Sequence, residues 1–68
     1  MFQEVSNLIR MPEVLRITGL NRNAVYRLMR DGFPQPVKIG ARAAAWPESE
    51  VRSWIASRIA ARNDKEAA

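Results

Sequence analysis

The chain has 68 residues, of which 47% are hydrophobic and 26% are charged, and its formal net charge is +4. A chain of this length forms one small domain with a thin core and little room for an enclosed substrate pocket. Cysteine and histidine are both absent, which excludes disulfides, thiolate chemistry, and imidazole as a metal ligand or general base. We therefore expect no enzyme, no metal site, no cofactor and no small-molecule ligand.

Signals for membrane insertion and for export are also missing from the sequence. No apolar run approaches the length needed to span a bilayer. The N-terminal segment MFQEVSNLIR lacks the cationic start and the apolar middle of a signal peptide. These features favour a cytoplasmic protein with no membrane partner.

The positive charge is concentrated in the front half of the chain. From Arg10 to Arg42 there are seven basic residues and two acidic ones, whereas residues 43–68 hold four of each sign. A basic surface on one side of a small protein attracts polyanions. The charge distribution therefore favours a phosphate-rich partner.

A first short helix is predicted at the start of this basic region. Pro12 and Glu13 suit the first turn of a helix, where a missing amide proton costs nothing and a carboxylate meets the positive end of the dipole. Gly19 supplies the left-handed residue that ends the helix. The predicted apolar stripe, at spacings of three and four residues, consists of Met11, Val14, Leu15 and Thr18.

A second helix follows after a short turn. Asn21 is a good N-cap, and Gly32 ends the helix. Val25, Leu28 and Met29 form its apolar face. The opposite face, together with the start of the helix, carries the polar residues Arg22, Asn23, Tyr26, Arg27 and Arg30.

The next segment is predicted to form a β-hairpin. Phe33-Pro34-Gln35-Pro36 cannot continue a helix, because each proline forces its predecessor toward extended geometry. Val37-Lys38-Ile39 alternates apolar and polar residues, Gly40-Ala41 suits a tight turn, and Arg42 to Trp46 can return as a second strand. A two-stranded hairpin is marginal alone, so we expect it to pack on the helices.

A third helix is predicted to start at Pro47 and to complete the core. Val51, Trp54, Ile55 and Ile59 form one apolar stripe, which Arg58 and Arg62 flank. We expect Trp46 and Trp54 to be core residues rather than base-stacking platforms. Residues 8–62 are then one domain, with a flexible N-terminus at 1–7 and a flexible tail at 63–68.

The predicted fold is mainly α. It is a small winged helix-turn-helix of three helices, with a two-stranded β-hairpin wing between the second and third helices. In this arrangement the second helix lies in the DNA major groove. Arg27 and Arg30 suit phosphate or guanine, the Asn23 amide suits adenine, and Tyr26 suits a phosphate or a thymine methyl group.

The predicted wing adds two basic residues, Lys38 and Arg42, beside a glycine turn. Phosphate contact is the simplest role for both, although such a hairpin also fits a minor groove. A structural alternative for Arg42 is a bond to the acidic start of the third helix. Arg10 and Arg16 are more peripheral candidates for phosphate contact.

The block TGLNRNAVYRLMRDGFPQPVKIG and the ending formed by Trp46, Glu50-Val51 and Trp54-Ile55 resemble the AlpA family of phage and prophage regulators. The resemblance runs from about Leu8 to Arg62. It implies a winged helix-turn-helix related to excisionases and MerR-type regulators. It also implies DNA-contacting residues at Arg22, Asn23, Tyr26 and Arg27 on the recognition helix, and at Lys38, Gly40 and Arg42 on the wing. Asn21 stands where family members often have serine, and Ala43-Ala44-Ala45 leaves the length of the wing open.

The predicted function is sequence-specific binding of double-stranded DNA by a transcriptional regulator of phage type. Two alternatives stay open: an excisionase-like factor that bends DNA for a recombinase, and a protein-interaction module that binds an acidic partner. A domain of this size offers few base contacts. We therefore expect it to act as a dimer or as several copies on adjacent sites.

Overall fold

The computed structural model describes residues 7–67 of the chain. Its elements, in chain order, are strand β1 (Leu8–Ile9), helix α1 (Met11–Thr18), helix α2 (Arg22–Leu28), a 3₁₀ turn (Met29–Asp31), strand β2 (Val37–Gly40), strand β3 (Ala43–Pro47) and helix α3 (Glu48–Ala67). The three helices and the hairpin between α2 and α3 confirm the predicted fold class. No helix in this part of the chain is long and apolar enough to cross a membrane.

The turn between α1 and α2 is built as the sequence predicts. Gly19 has φ +76° and its N–H donates to the carbonyl oxygen of Leu15 at 2.8 Å, which closes α1 in the left-handed conformation that glycine adopts readily. The Asn21 side-chain oxygen accepts a hydrogen bond from the Ala24 N–H at 2.8 Å and so caps α2. The Thr18 hydroxyl adds a further bond, accepting from the Leu20 N–H at 3.2 Å.

The end of α2 is tighter than a regular α-helix. The α-helical part stops at Leu28, a 3₁₀ turn continues to Asp31, and Gly32 at φ +105° ends the segment. Phe33 then donates its N–H to the Leu28 carbonyl oxygen at 3.0 Å, and its ring is only 2% exposed. Gly32 is therefore the stop that was predicted, but the connector after it also supplies a core residue that the sequence pattern did not reveal.

The sheet has three strands rather than two, in the order β1-β3-β2. The predicted hairpin pairs Val37 with Ala45 and Lys38 with Ala44, and β1 pairs Ile9 with Trp46 on the other side of β3. The sequence predicts support for the hairpin from the helices, and the third strand is an additional support that was not predicted. Because β1 has only two residues, it carries no alternation that a sequence pattern could detect.

The hairpin turn lies one residue later than predicted. Gly40 still belongs to β2 and pairs with Ala43, with an irregularity in the register between Lys38 and Gly40. The turn is formed by Ala41 and Arg42, so Arg42 lies in the turn and not in the return strand. The alanine run gives no periodicity to set the register, and pairing across the sheet decides it.

The core lies where α1, α2, β3 and the start of α3 meet. Val14, Val25 and Val51 are fully buried, and the Trp46 ring packs among them with its Nε1–H donating to the Pro34 carbonyl oxygen at 3.0 Å. Trp54 is half-buried, and its ring meets that of Phe33 edge to face, with centroids 4.8 Å apart. Both tryptophans are therefore packed against the core, as predicted.

Helix α3 continues beyond the core. Val51, Trp54 and Ile55 pack inward, but Ile59 is 48% exposed, so the predicted inclusion of Ile59 in the buried stripe is wrong. A helix of 20 residues is about 30 Å long, and its second half passes the edge of a thin core. The Arg58 side chain lies over Trp54, with its guanidinium 5.7 Å from the centroid of the Trp54 ring.

The predicted boundaries at 7/8 and 62/63 stay predictions. Residues 1–6 lie outside the described residues. Helical backbone continues past Arg62 to Ala67, so most of the segment predicted as a tail, residues 63–68, has the backbone of the last turns of α3.

Candidate nucleic-acid interface

The outward side of α2 is polar and accessible. The five residues predicted for this face are all exposed, and none of their side chains makes a hydrogen bond or ion pair within the described residues: Arg22, Asn23, Tyr26, Arg27 and Arg30. Arg30 lies in the 3₁₀ turn after α2 rather than in the helix itself. Ala24 and Val25, which lie between them in the sequence, are buried and hold α2 to the core. The apolar side of the helix therefore fixes its position while the polar side stays free for a partner.

A cleft joins this helix to the wing. It has a volume of about 320 Å³ and is lined by the side of α2, the start of α1 and the hairpin, with the residues Arg10, Met11, Pro12, Arg22, Tyr26, Arg42, Ala44 and Trp46. Arg22 and Tyr26 from α2 and Arg42 from the wing turn therefore share one concave site. The structure thus brings together three of the predicted residues from two separate elements.

Arg10 is the fourth polar residue of the cleft. Its Nε donates to the carbonyl oxygen of Ala44 at 3.1 Å, which ties the residue before α1 to strand β3. From the sequence, Arg10 was only a peripheral candidate. Its place in the cleft follows from a contact across 34 positions of the chain, which local patterns do not report.

Lys38 lies on the hairpin near the same cleft. It is directly opposite Ala44 in the antiparallel pair of β2 and β3, and residues opposite each other in such a pair project from the same face of the sheet. Ala44 lines the cleft and Lys38 does not, so Lys38 lies beside the cleft rather than in it. Its side chain is exposed.

The other predicted residues lie outside the cleft. Asn23, Arg27 and Arg30 are exposed on α2 and its 3₁₀ extension but do not line the cleft, and Gly40 is exposed beside the wing turn. An added Cβ at Gly40 would meet only the Ala43 Cβ, at an ordinary contact distance of 3.5 Å. The backbone conformation at Gly40 therefore does not by itself require glycine.

The structure does not support a structural role for Arg42 at the start of α3. Glu48, in the first turn of that helix, accepts a hydrogen bond from the Arg52 Nε at 2.8 Å. Arg42 is exposed and makes no ion pair in the part of the chain that the structure describes. Its charge is therefore available to a ligand in the cleft.

Arg16 differs from the other basic residues of the front half because an acidic neighbour compensates it. Its guanidinium forms an ion pair with Glu13 one turn earlier on α1, with the Nε 3.1 Å from Glu13 Oε1. The hydrogen bond from Arg16 holds the pKa of the Glu13 carboxyl below its ordinary value, and the pKa of Arg16 is raised in turn. Arg16 is thus a weaker candidate for phosphate contact than Arg10.

Comparison with known proteins gives a family match over most of this fold. Residues 7–59 match the family described as "Prophage CP4-57 regulatory protein (AlpA)". The chain is also similar to "Uncharacterized protein ORF88" of Enterobacteria phage P4, with 47% identity over 55 residues, which is 79% of this chain and 62% of that relative. The chain thus spans less than two thirds of the length of this curated relative.

No solved structure matches the chain. The family match nevertheless contains β1, both helices of the helix-turn-helix, the complete wing and the core-facing part of α3. Every lining residue of the cleft falls inside it. The chain belongs to the AlpA family of prophage regulatory proteins.

Proposed function

We propose that this chain is a sequence-specific regulator of phage type that binds double-stranded DNA, with α2 in the major groove and the wing on the neighbouring backbone or minor groove. Its family of prophage regulatory proteins supports the regulatory part of this proposal. The DNA-binding part rests on the interface itself.

The observation that carries the proposal is the shared cleft of α2 and the wing. The α2 residues Arg22 and Tyr26 and the wing residue Arg42 line one concave surface, and neither arginine is paired with an acid in the described residues. A major groove about 12 Å wide admits an α-helix, and basic side chains beside the helix meet the phosphates of the groove edge. Because both elements line one cleft, a duplex that takes α2 in its major groove would also meet the wing.

We assign base reading to the exposed residues of α2 that do not line the cleft. Asn23 and Arg27 are four positions apart and so lie on the same face of the helix. Neither side chain makes a hydrogen bond or ion pair within the described residues, whereas the side chain of the nearby Asn21 caps the helix. An amide pairs with adenine in two hydrogen bonds and a guanidinium pairs with guanine in the same way. Arg30 extends this face toward the flanking backbone.

The test is a selection of bound fragments from the genome of the host and its resident phage, followed by footprinting of the recovered sites. A sequence-specific regulator returns a small set of fragments that share a motif, and the footprint covers a promoter. Footprints at an attachment site, with DNA bending in gel mobility, would instead favour the excisionase-like role. Site spacing reports whether one copy binds alone or several bind side by side.

A salt titration separates DNA binding from recognition of an acidic protein. With four to six phosphate contacts, the logarithm of the DNA affinity should fall with the logarithm of salt concentration at a slope of about −4 to −5. If the protein binds no duplex even at low salt, the proposed function is wrong. The result would then favour the alternative of a module that binds an acidic protein.

A further inference from the structure

We infer that the cleft between α2 and the wing holds a single phosphate group of the DNA backbone, and that Arg10 is a ligand of that phosphate. The inference rests on the proposed function and goes beyond it, because it assigns one occupant to one site. It also assigns Arg10, a peripheral candidate from the sequence, a central role in the interface.

The first step is the charge of the cleft. Three arginines line it, at positions 10, 22 and 42, and none of its described lining residues is acidic. Arginine stays protonated at any physiological pH, so three positive charges face one space without a counter-charge. The buried Met11 and Trp46 side chains contribute to its wall, and charges beside an apolar wall are less screened than charges in open water. The site is thus suited to an anion.

The Arg10 guanidinium is anchored through one of its nitrogens and leaves the other two available. Of its five N–H donors, the one on Nε is engaged with the Ala44 carbonyl oxygen at 3.1 Å. The four N–H groups on the two terminal nitrogens have no partner in the described residues. A guanidinium held in this way keeps donors in the planar arrangement that matches phosphate oxygens. Because the side chain is already anchored, binding costs less conformational entropy.

The position of the cleft between α2 and the wing indicates which anion it holds. The cleft lies between the helix that would enter the major groove and the hairpin that would meet the adjacent groove. What runs between the two grooves of a duplex is the sugar–phosphate backbone. The Tyr26 hydroxyl, which also lines the cleft, is a further donor to a phosphate oxygen. At about 320 Å³ the cleft is at the small end of the range for small-molecule sites, and a phosphate of the bound strand fits its position between the two reading elements.

The experiment uses one duplex from the selected fragments, made as a series in which a single phosphate at a time is replaced by an uncharged methylphosphonate. Affinity for each duplex is measured by fluorescence anisotropy with the wild-type chain and with Arg10→Gln. We expect one phosphate whose neutralisation weakens wild-type binding about tenfold or more. In Arg10→Gln this particular penalty should become clearly smaller, because one of its three arginine ligands is lost, while penalties at other phosphates stay unchanged.

Further variants separate a lost contact from a lost fold. Arg22→Gln and Arg42→Gln should each reduce the penalty at the same phosphate, because each removes one of the three positive charges that line the cleft. Arg62→Gln removes an equal charge from an exposed position on α3, outside the cleft, and should leave the whole pattern unchanged. Arg10→Lys keeps the charge but not the planar fork, so it should retain part of the penalty. Circular dichroism melting of each variant reports whether the domain is intact.

The outcomes are distinct. If wild type binds DNA and the penalty at every phosphate is the same in Arg10→Gln, the inference is wrong although the proposed function stands. If inorganic phosphate raises the melting temperature of wild type but not of Arg10→Gln, and no duplex phosphate is coupled to Arg10, the cleft is a free-anion site and the backbone assignment fails. If wild type binds no duplex, the proposed function has failed first.

Discussion

Arg10 and Ala44 are joined by a hydrogen bond of 3.1 Å from the arginine Nε to the alanine carbonyl oxygen, across 34 positions of sequence. The bond connects the residue that precedes α1 with the strand that forms the return arm of the wing. The pairing of Ile9 with Trp46 lies beside it. The position of the wing relative to the helix-turn-helix is therefore set from the N-terminal side of the domain as well as through the connector after α2.

The turn between the helices depends on the left-handed backbone of Gly19. Its φ is +76°, and an added Cβ would meet no atom within 4 Å, so substitution costs conformational strain and not a clash. We expect Gly19→Ala to lower the free energy of unfolding by about 1 to 2 kcal/mol, measured by urea denaturation. Gly40→Ala is the matched control, because φ at Gly40 is not positive, and its effect should stay within about 0.5 kcal/mol. Equal losses in both variants would contradict this account.

The side chain of Asn21 caps the start of α2. The Asn21 side-chain oxygen accepts from the Ala24 N–H, one of the amides that a helix start leaves without an intrahelical partner. Asn21→Ala should therefore reduce the free energy of unfolding by about 0.5 to 2 kcal/mol. Asn21→Ser keeps a capping oxygen and should retain most of the stability. A serine variant as unstable as the alanine variant would show that the cap is not what the asparagine provides.

The local features of this fold were predictable from sequence because their causes are local. Pro12 in the first turn of α1, Gly19 at its end and Asn21 as the cap of α2 each act within four residues, and the structure confirms all three. The exposed polar face of α2 follows from the helical period, once its apolar face is assigned to the core.

The features that escaped prediction depend on contacts between distant parts of the chain. Strand β1 has two residues and exists because β3 pairs with it. Arg42 lies in the hairpin turn and not in the predicted return strand, because cross-strand pairing sets the register and the uniform alanine run does not. Arg10 lies in the cleft, where its side chain is hydrogen-bonded to Ala44. The candidate residues could thus be named from sequence, but their grouping into one cleft could not.

Helix α3 provides a test of where the core ends. Val51 is fully buried, whereas Ile59 on the same helix is 48% exposed. Val51→Ala should lower the free energy of unfolding by about 2 kcal/mol, from lost burial and the cavity left behind. Ile59→Ala removes a larger side chain but should change stability by less than about 0.5 kcal/mol. Comparable destabilisation by both, in chemical denaturation at low protein concentration, would show that Ile59 is buried in solution.

The ion pair on α1 predicts a small dependence of stability on acid pH. The hydrogen bond and the charge of Arg16 lower the pKa of Glu13 in the folded state, so this carboxylate stabilises the fold above its unfolded pKa of about 4.3. The contribution should be lost as the pH falls below that value and through the folded pKa. NMR titration of the Glu13 carboxyl carbon should give a midpoint below that of the same residue in Arg16→Gln. Identical midpoints in the two proteins would exclude the pairing in solution.

The last prediction separates base reading from phosphate contact on the proposed DNA. Asn23 is exposed on α2 and its side chain has no partner in the described residues, whereas Lys38 is exposed on strand β2 of the wing. Asn23→Ala should cost about 1 to 3 kcal/mol on the selected site and relax the preference at one base pair, with little effect on random DNA. Lys38→Ala should weaken binding to all sequences alike and reduce the salt slope by about one unit.

Competition titrations with the selected duplex and with a scrambled duplex, each at several salt concentrations, measure both effects. The two variants serve as controls for each other, because each removes one exposed polar side chain from a different part of the interface. Equal losses on specific and scrambled DNA for Asn23→Ala would mean that Asn23 contacts the backbone, and base reading would then pass to Arg27 on the same face of α2. An unchanged salt slope in Lys38→Ala would remove the wing lysine from the phosphate contacts and leave Arg42 as the charged residue of the wing.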